Sequence, residues 1–415
     1  MICVKKWKSP NEFVQEQRAV VDAAGTAMKK VCIVRLAYYP AETHTRRNAE
    51  CLVRKGYQVD LICLRQKNQA RYETLNGVNV RRIPFQRSRK SVFNYLVEYV
   101  FFCLFVFVKL SGLCARNNYD VIEVESMPDF LVFSALMPKI FGKKVILFLF
   151  EDMPELAALK YRLREDQPGI KLLAWIEKLS ANFSDHVIVC HEMSRRKLLE
   201  KRKVKPPVTV VLNVPSDLIF KPCARARSFR AGDPFVITHH GTITENYGIQ
   251  TIITAVSLLK DLMNIQLQIY GVGNYRPVLE DLVRSLNVEN EVLFKGYVSQ
   301  EELIDGLCAA DLGVVALLNE NQSPNKLFEM VALGKPVVAS DLLTIRQHFD
   351  SNCLHYFEKG NAKDLANKIF ALYHNRTLRE EMVTNAGRIY ESYKWSRQMT
   401  TYLGVYDVLL KDRQK

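Results

Sequence analysis

The sequence predicts an α/β protein made of two doubly wound domains in series. Strand-like and helix-like segments alternate along the chain, and several of the strand-like runs are apolar almost without interruption, as strands covered on both faces must be. A stretch containing prolines and several arginines, 213–233, breaks this series once before it resumes. The 415 residues suffice for two domains with a core each, and a hydrophobic content of 48% with little low-complexity sequence excludes a disordered chain.

In the first half, 31–36 reads as a buried strand, 43–55 as a helix ended by Gly56, and 57–64 as a second strand, together a βαβ unit. Strands are expected next at 78–83, 120–124, 144–150 and 186–190, with helices near 95–114, 130–141 and 170–182. After the break come strands at 235–240, 265–270, 292–298 and 312–317 and helices near 248–260 and 277–286. Ser299-Gln300-Glu301-Glu302 has the spacing of a capping box that opens a further helix. The boundaries that follow are an N-terminal extension 1–29, a first Rossmann-like domain 30–212, a linker 213–233, a second Rossmann-like domain 234–394 and a closing helix 395–415.

The opening thirty residues hold no apolar core of signal-peptide length, so no secretion signal is expected. The ten cysteines include no Cys-x-x-Cys pair and suit neither a zinc site nor a disulfide scaffold; buried thiols in a reducing cytoplasm are the expectation. Charge divides unevenly. Residues 1–210 carry 36 Lys+Arg against 21 Asp+Glu, a balance of +15, whereas 211–415 carry 22 against 23. The first half therefore suits an acidic partner such as an anionic membrane surface or a phosphorylated lipid. Nucleic acid is not expected, because no binding motif is present and aromatics do not interleave with the basic clusters. The run 96–108 is apolar enough to resemble a membrane span, but Glu98 and Lys109 interrupt it and a span would break the strand and helix order. A buried or interfacial helix is expected there. The basic clusters at 81–90 and 195–205 read as solvated faces or as a membrane-docking surface.

The segment densest in chemistry runs Asn321-Gln322-Ser323-Pro324-Asn325-Lys326-Leu327-Phe328-Glu329. Ser323 suits an N-cap, Pro324 the first helical position, and Gly334 a C-cap before a buried strand. The amides of Asn325 and Lys326 would then face an anion, with the helix dipole and the Lys326 ammonium adding positive charge. Glu329, five residues beyond Pro324, stands about 7 Å further along the axis, the reach from a diphosphate to a ribose, and a carboxylate accepts from two hydroxyls. An ordinary amphipathic surface helix fits the same residues. His240-Gly241-Thr242 ends a strand ahead of a helix, where a glycine lets backbone approach a phosphate. Gly271 and Gly273 follow the next strand and either border the base and ribose or form a plain tight turn.

The 321–329 segment resembles the signature of the family-4 retaining glycosyltransferases, in the branch with Pro-Asn-Lys before its glutamate. The resemblance runs from about residue 30 to the end. It implies the GT-B architecture, two Rossmann-like domains facing each other across a cleft with the C-terminal helix crossing back to the first. Relatives often place another glutamate ahead of the one matched by Glu329, with seven residues between the two; here that position is Asn321, with Glu320 beside it. The segments Glu123-Val124-Glu125-Ser126-Met127-Pro128-Asp129 and Phe150-Glu151-Asp152-Met153-Pro154-Glu155 also resemble family motifs, but relatives often have histidine at 123 and 125 and His-Asp where Phe150-Glu151 stand.

What the resemblance implies is a retaining transfer of a sugar from a nucleotide-sugar to a lipid-linked or glycan acceptor. No cofactor and no metal are expected; the chain has no Asp-x-Asp motif of the metal-dependent kind, so helix amides and Lys326 take the cation's place. Lys326 and Glu151 are the candidate catalytic groups. Donor binding is assigned to His240, Gly241, Thr242, Gly271, Gly273, Ser323, Asn325, Lys326, Leu327 and Glu329, and the acceptor side to Arg46, Asp129, Asp152 and Glu155. A nucleotide-sugar epimerase or hydrolase, or a catalytically silent assembly partner, would use the same folds. The expected location is cytoplasmic, at the membrane face.

Overall fold

The computed structural model describes residues 28–85, 92–223, 232–320 and 325–411. Contacts group the chain into two compact units, residues up to Leu212 together with those from Met399 onward, and Asn213–Gln398.

The first unit holds β1 (Lys30–Tyr38), α1 (Thr43–Arg54), β2 (Gln58–Leu64), β3 (Tyr72–Leu75), β4 (Val78–Ile83), α2 (Val92–Asn117) and β5 (Val121–Glu125). A 3₁₀ segment, Asp129–Ala135, leads into the short α3 (Leu136–Ile140), so the expected single helix at 130–141 is tighter at its start. There follow β6 (Lys144–Leu149), α4 (Met153–Lys160), α5 (Pro168–Phe183), β7 (His186–Val189), α6 (Glu192–Arg196) and β8 (Val208–Val210). The eight strands are ordered β3-β4-β2-β1-β5-β6-β7-β8, parallel except for β3 against β4. That antiparallel edge turns through Asn76 and Gly77, both with positive φ, as a two-residue hairpin needs. The central strands bury side chains on both faces, which explains their unbroken apolar runs.

The second unit has β9 (Phe235–His240), α7 (Ile249–Leu259), β10 (Ile265–Tyr270), α8 (Arg276–Ser285), β11 (Val292–Gly296), α9 (Gln300–Ala309), β12 (Leu312–Val315) and α10 (Asn325–Ala332). It continues with β13 (Val337–Ser340), α11 (Leu343–Arg346), β14 (His355–Phe357), α12 (Ala362–His374) and α13 (Arg376–Tyr393). Its six strands are all parallel, ordered β11-β10-β9-β12-β13-β14. The capping box forms as the spacing predicts: Glu302 N–H donates to Ser299 Oγ at 3.2 Å and Ser299 N–H to the Glu302 carboxylate at 2.8 Å.

The cysteine expectation needs one correction. Cys223 and Cys308 are joined as a disulfide within the second unit, while Cys32, Cys51, Cys63, Cys103, Cys114, Cys190 and Cys353 are free.

A last helix, α14 (Trp395–Lys411), starts in the second unit, where the Asp217 carboxylate accepts from the Trp395 and Ser396 amides at 2.9 and 3.0 Å. From Met399 it belongs to the first unit. Tyr402 and Tyr406, one turn apart and fully buried, both donate to Glu123 Oε2, at 2.9 and 2.5 Å. Glu123 is thus an internal anchor for α14. Burial, and then the neighbouring Glu125 carboxyl, push its titration upward.

A carboxyl raised in the folded state stabilises fully below its unfolded pKa, and that stability is lost as pH rises toward the folded value. Thermal unfolding of the wild type should therefore lose about 3 °C or more between about pH 5 and pH 8. Glu123→Gln, which keeps an acceptor for both tyrosines, should decline less. Equal slopes for the two proteins would show that Glu123 is ionised in the fold.

Candidate functional site

In the second unit the carboxyl ends of β9, β10 and β12 and the start of α10 carry the donor-site candidates. β9 ends on His239 and His240, and the chain turns at Gly241 with φ +109°. A Cβ there would collide with Lys326 Cε, so glycine is needed both for the backbone and for the lysine that crosses it. Gly271 lies against the Gly241 carbonyl and Gly273 against that of Ile243, each so closely that a Cβ would clash. Backbone bonds from Gly241 N–H to Tyr270 O (2.8 Å) and Ile243 N–H to Val272 O (3.0 Å) hold the two turns together. The two later glycines thus serve turn-on-turn packing, in line with the plainer of the two alternatives.

Lys326 Nζ lies 3.2 Å from the centroid of the Tyr247 ring and 3.4 Å from His239 Nε2. His239 Nδ1 faces the Val314 carbonyl at 3.1 Å, which places the ring proton on Nδ1 and leaves Nε2 as an acceptor toward the lysine. Burial, then Lys326 and His240, hold His239 well below the usual histidine range. Lys326 is itself only partly covered by neighbouring atoms, yet loss of hydration brings its ammonium down to about 7, against the pull of Glu329. Glu329 accepts from or shares a proton with His240 Nε2 at 2.6 Å and stays one-quarter exposed. Lys326, Glu329, His240 and Gly241 therefore come together as the sequence led one to expect. Tyr247 and His239 complete the group.

The remaining donor candidates divide. Leu327 is fully buried, so its side chain faces the core. Thr242 is exposed. Asn325 opens α10 and is half-buried. Ser323 lies outside the described residues, as does Asn321. Glu320 does not stand in for the missing carboxylate, because it caps α11, accepting from the Leu343 and Thr344 amides at 3.1 and 3.0 Å.

In the first unit the acceptor-side candidates behave differently from expectation. Asp152 is buried and accepts from Ser194 Oγ at 2.7 Å and Lys197 Nζ at 2.9 Å. Lys197 also meets Glu155 at 2.9 Å and Glu177 at 2.8 Å, and Arg202 reaches both glutamates at 3.1 and 2.8 Å. Asp152 and Glu155 are thus members of an internal ion lattice. Burial pushes the Asp152 carboxyl up, but Lys197, His191 and Ser194 outweigh it and leave it below its ordinary value. Asp129 is buried nearby with Oδ1 unpaired, and burial followed by Glu177 drives it well above the usual range. Arg46 is half-buried in the first turn of α1. Glu125 accepts from Thr45 Oγ1 at 2.5 Å and lies 3.9 Å from Arg35, whose guanidinium sits 4.7 Å over the Phe150 ring. Phe150 stacks face to face on Phe148 at 4.3 Å. Glu151, after the end of β6, reaches solvent, yet crowding by protein atoms and then Asp152 push it up to about 7. Arg35 was invisible to sequence reasoning, and Lys197 and Arg202, expected in the 195–205 cluster on a solvated or membrane-docking face, turn inward instead, drawn by carboxylates far away in the chain.

Residues 41–214 match the family described as Glycosyl transferase 4-like domain, and residues 221–388 match Glycosyl transferases group 1. An uncharacterized glycosyltransferase of Methanocaldococcus jannaschii is 26% identical over 89% of this chain and 94% of its own length. Among solved structures, a sucrose-phosphate synthase from Thermosynechococcus elongatus superposes with a TM-score of 0.75 at 20% identity, over 92% of this chain and all of that one. The Anabaena protein HepE, solved with UDP-glucose, gives 0.68 at 14% identity over 91% and 99%.

Replacing Lys197 by Met leaves Glu155 and Glu177 against Arg202 alone and takes the ammonium away from Asp152. The variant should lose about 3 kcal/mol of stability in urea unfolding. An unchanged midpoint would mean that the lattice is solvated and contributes little.

Proposed function

We propose, from the premise that this chain carries the two domains of a GT-B glycosyltransferase, that it moves a sugar with retention of configuration from a nucleoside-diphosphate donor to a lipid-linked or glycan acceptor. The observation that carries this reading is the convergence of Lys326, Glu329, His240 and Gly241 at one sheet edge of the second domain. A half-buried lysine beside a glycine turn and the start of a helix suits a diphosphate. The arriving phosphate restores the ammonium's charge, and as the sugar bond breaks the growing negative charge on the leaving group strengthens that contact. Neutralisation by Lys326 and the α10 amides takes the part that a metal ion plays elsewhere. Glu329 is assigned to the donor ribose, exchanging its bond with His240 for hydroxyl donors. Glu151 is assigned to the acceptor hydroxyl, since a carboxyl near 7 exchanges protons readily at neutral pH. Residence in the cytoplasm follows from the expected use of a nucleotide-sugar.

A donor-binding assembly partner without turnover is a second reading. It draws on Glu123, locked by two tyrosines, and on Phe150, stacked on Phe148, neither of which can serve as a base.

The first test is a screen of nucleotide-sugars for thermal stabilisation, followed by product analysis with and without acceptor and assignment of the anomeric configuration by NMR. Transfer only with acceptor, with the donor's configuration kept, is expected; inverted product would remove the retaining assignment, and donor binding with no product would favour the second reading. Lys326→Ala should lower turnover about 100-fold or more under donor saturation, and near-normal turnover would discard its role. Glu329→Ala should weaken donor binding by about tenfold in calorimetry with smaller change in kcat, and unchanged affinity would take it out of the ribose site.

A further inference from the structure

Helix α2 is apolar on two opposite faces. One stripe, Phe102, Val106, Leu110 and Cys114, is buried in the core of the first domain. Between these positions, Val100, Phe101, Leu104, Phe105 and Val108 point outward, with Phe101 62% and Val108 70% exposed. Lys109, half-buried, lines the same side and donates to Tyr72 Oη at 2.9 Å, and beyond it the stripe continues through exposed Gly112 and Ala115 to Arg116. Within Val97–Asn117 the most apolar 18-residue window has a mean hydropathy of 1.9, the level of a membrane span, and only a third of it is buried. A helix that is hydrophobic all round belongs in a core or in lipid, and this one has only its inner face in a core. Outer-face residues Phe101, Phe105 and Val108, with Ile83, Pro84 and Phe85, line an open apolar groove of about 550 Å³.

We propose that the outer face of α2 lies in the surface of an anionic lipid leaflet, seating the first domain on the membrane. The inner stripe is fixed to the sheet, so the helix cannot leave the domain to span a bilayer; it lies in the plane of the interface. Outward positions from 100 to 108 offer no polar side chain to pair with, whereas a protein partner is matched by hydrogen bonds and a polar rim. The charge around the face has the sign an anionic leaflet requires. Lys109 and Arg116 stand on the same helix, and the end of the neighbouring α3 presents exposed Ile140, followed by exposed Phe141, between Lys139, paired with Asp185 at 3.0 Å, and Lys144. These lie in the half of the chain with the +15 balance.

The test uses the full chain with no nucleotide-sugar present, so that its outcome is independent of the transfer reaction. Wild-type protein should float with phosphatidylcholine vesicles containing phosphatidylglycerol, more weakly with phosphatidylcholine alone and more weakly at high salt. Phe101→Ser with Phe105→Ser should partition about tenfold or more less, with an unchanged thermal midpoint. As a second readout that leaves the face apolar, Leu104→Trp should gain fluorescence quenching by lipids brominated on their acyl chains, beyond that of the native tryptophans. Wild-type protein that stays off both vesicles, a double variant that floats as well as wild type, or a Leu104→Trp variant quenched no more than wild type would each overturn the proposal. So would a wild-type dimer that the double substitution splits without any vesicle binding, since a second copy would then cover the face.

Discussion

Lys326 lies across Gly241, and the arrangement of the second domain's functional edge follows from that crossing. Any larger residue at 241 would displace the lysine, and the φ of +109° that turns the backbone away from β9 is one that glycine adopts without strain. Gly271 must then be bare so that the second turn can rest on the first. The lysine leans on Tyr247 and on the proton-free nitrogen of His239, while Glu329 is drawn to His240. A cation so placed is poorly hydrated and incompletely neutralised, and an incoming anion gains more from it than from a lysine already satisfied by water or a carboxylate.

The first domain treats its charges in the opposite way. Asp152, Glu155, Glu177, Lys197 and Arg202 satisfy one another inside the protein, and Glu123 is held by two tyrosines. The polar groups left with unpaired atoms at its carboxyl edge include Arg35, whose Nε and Nη1 have no hydrogen-bond partner, and Asp129. Its outer helix, by contrast, leaves large apolar side chains uncovered. One domain thus concentrates reactive charge at a sheet edge, and the other pairs its buried charges internally and leaves an apolar face uncovered on α2.

Much of this was legible in the sequence because periodicity and turn chemistry are local. The βαβ series, the capping box and the helix that starts at Asn325 all follow from residues within a few positions of one another. The β3–β4 hairpin was legible too, since Asn76-Gly77 between apolar residues is the strongest short hairpin signal, yet the strand before it, with Tyr72 and Glu73, is too polar to draw attention. β8 and β14, of three residues each, fall below the length at which alternation can be seen. The partners of acidic residues were not legible at all. Whether Glu123, Asp152 or Glu320 serves a ligand or the fold depends on Tyr402, Lys197 and Thr344, which only tertiary folding brings near. The same holds for Cys223 and Cys308, separated by 85 residues and free of any spacing motif.

Helix α14 has a bearing on how the protein is made. Its tyrosines close over a carboxyl group on a central strand of the first sheet, but they are translated after the entire second domain. While synthesis proceeds, the first domain therefore waits with Glu123 uncovered and able to hydrate and ionise, and it reaches its final packing only when the second domain has been delivered. A ribosome that stalls within the second domain leaves behind a first domain that is permanently unfinished, recognisable by the gap where two aromatic rings should be.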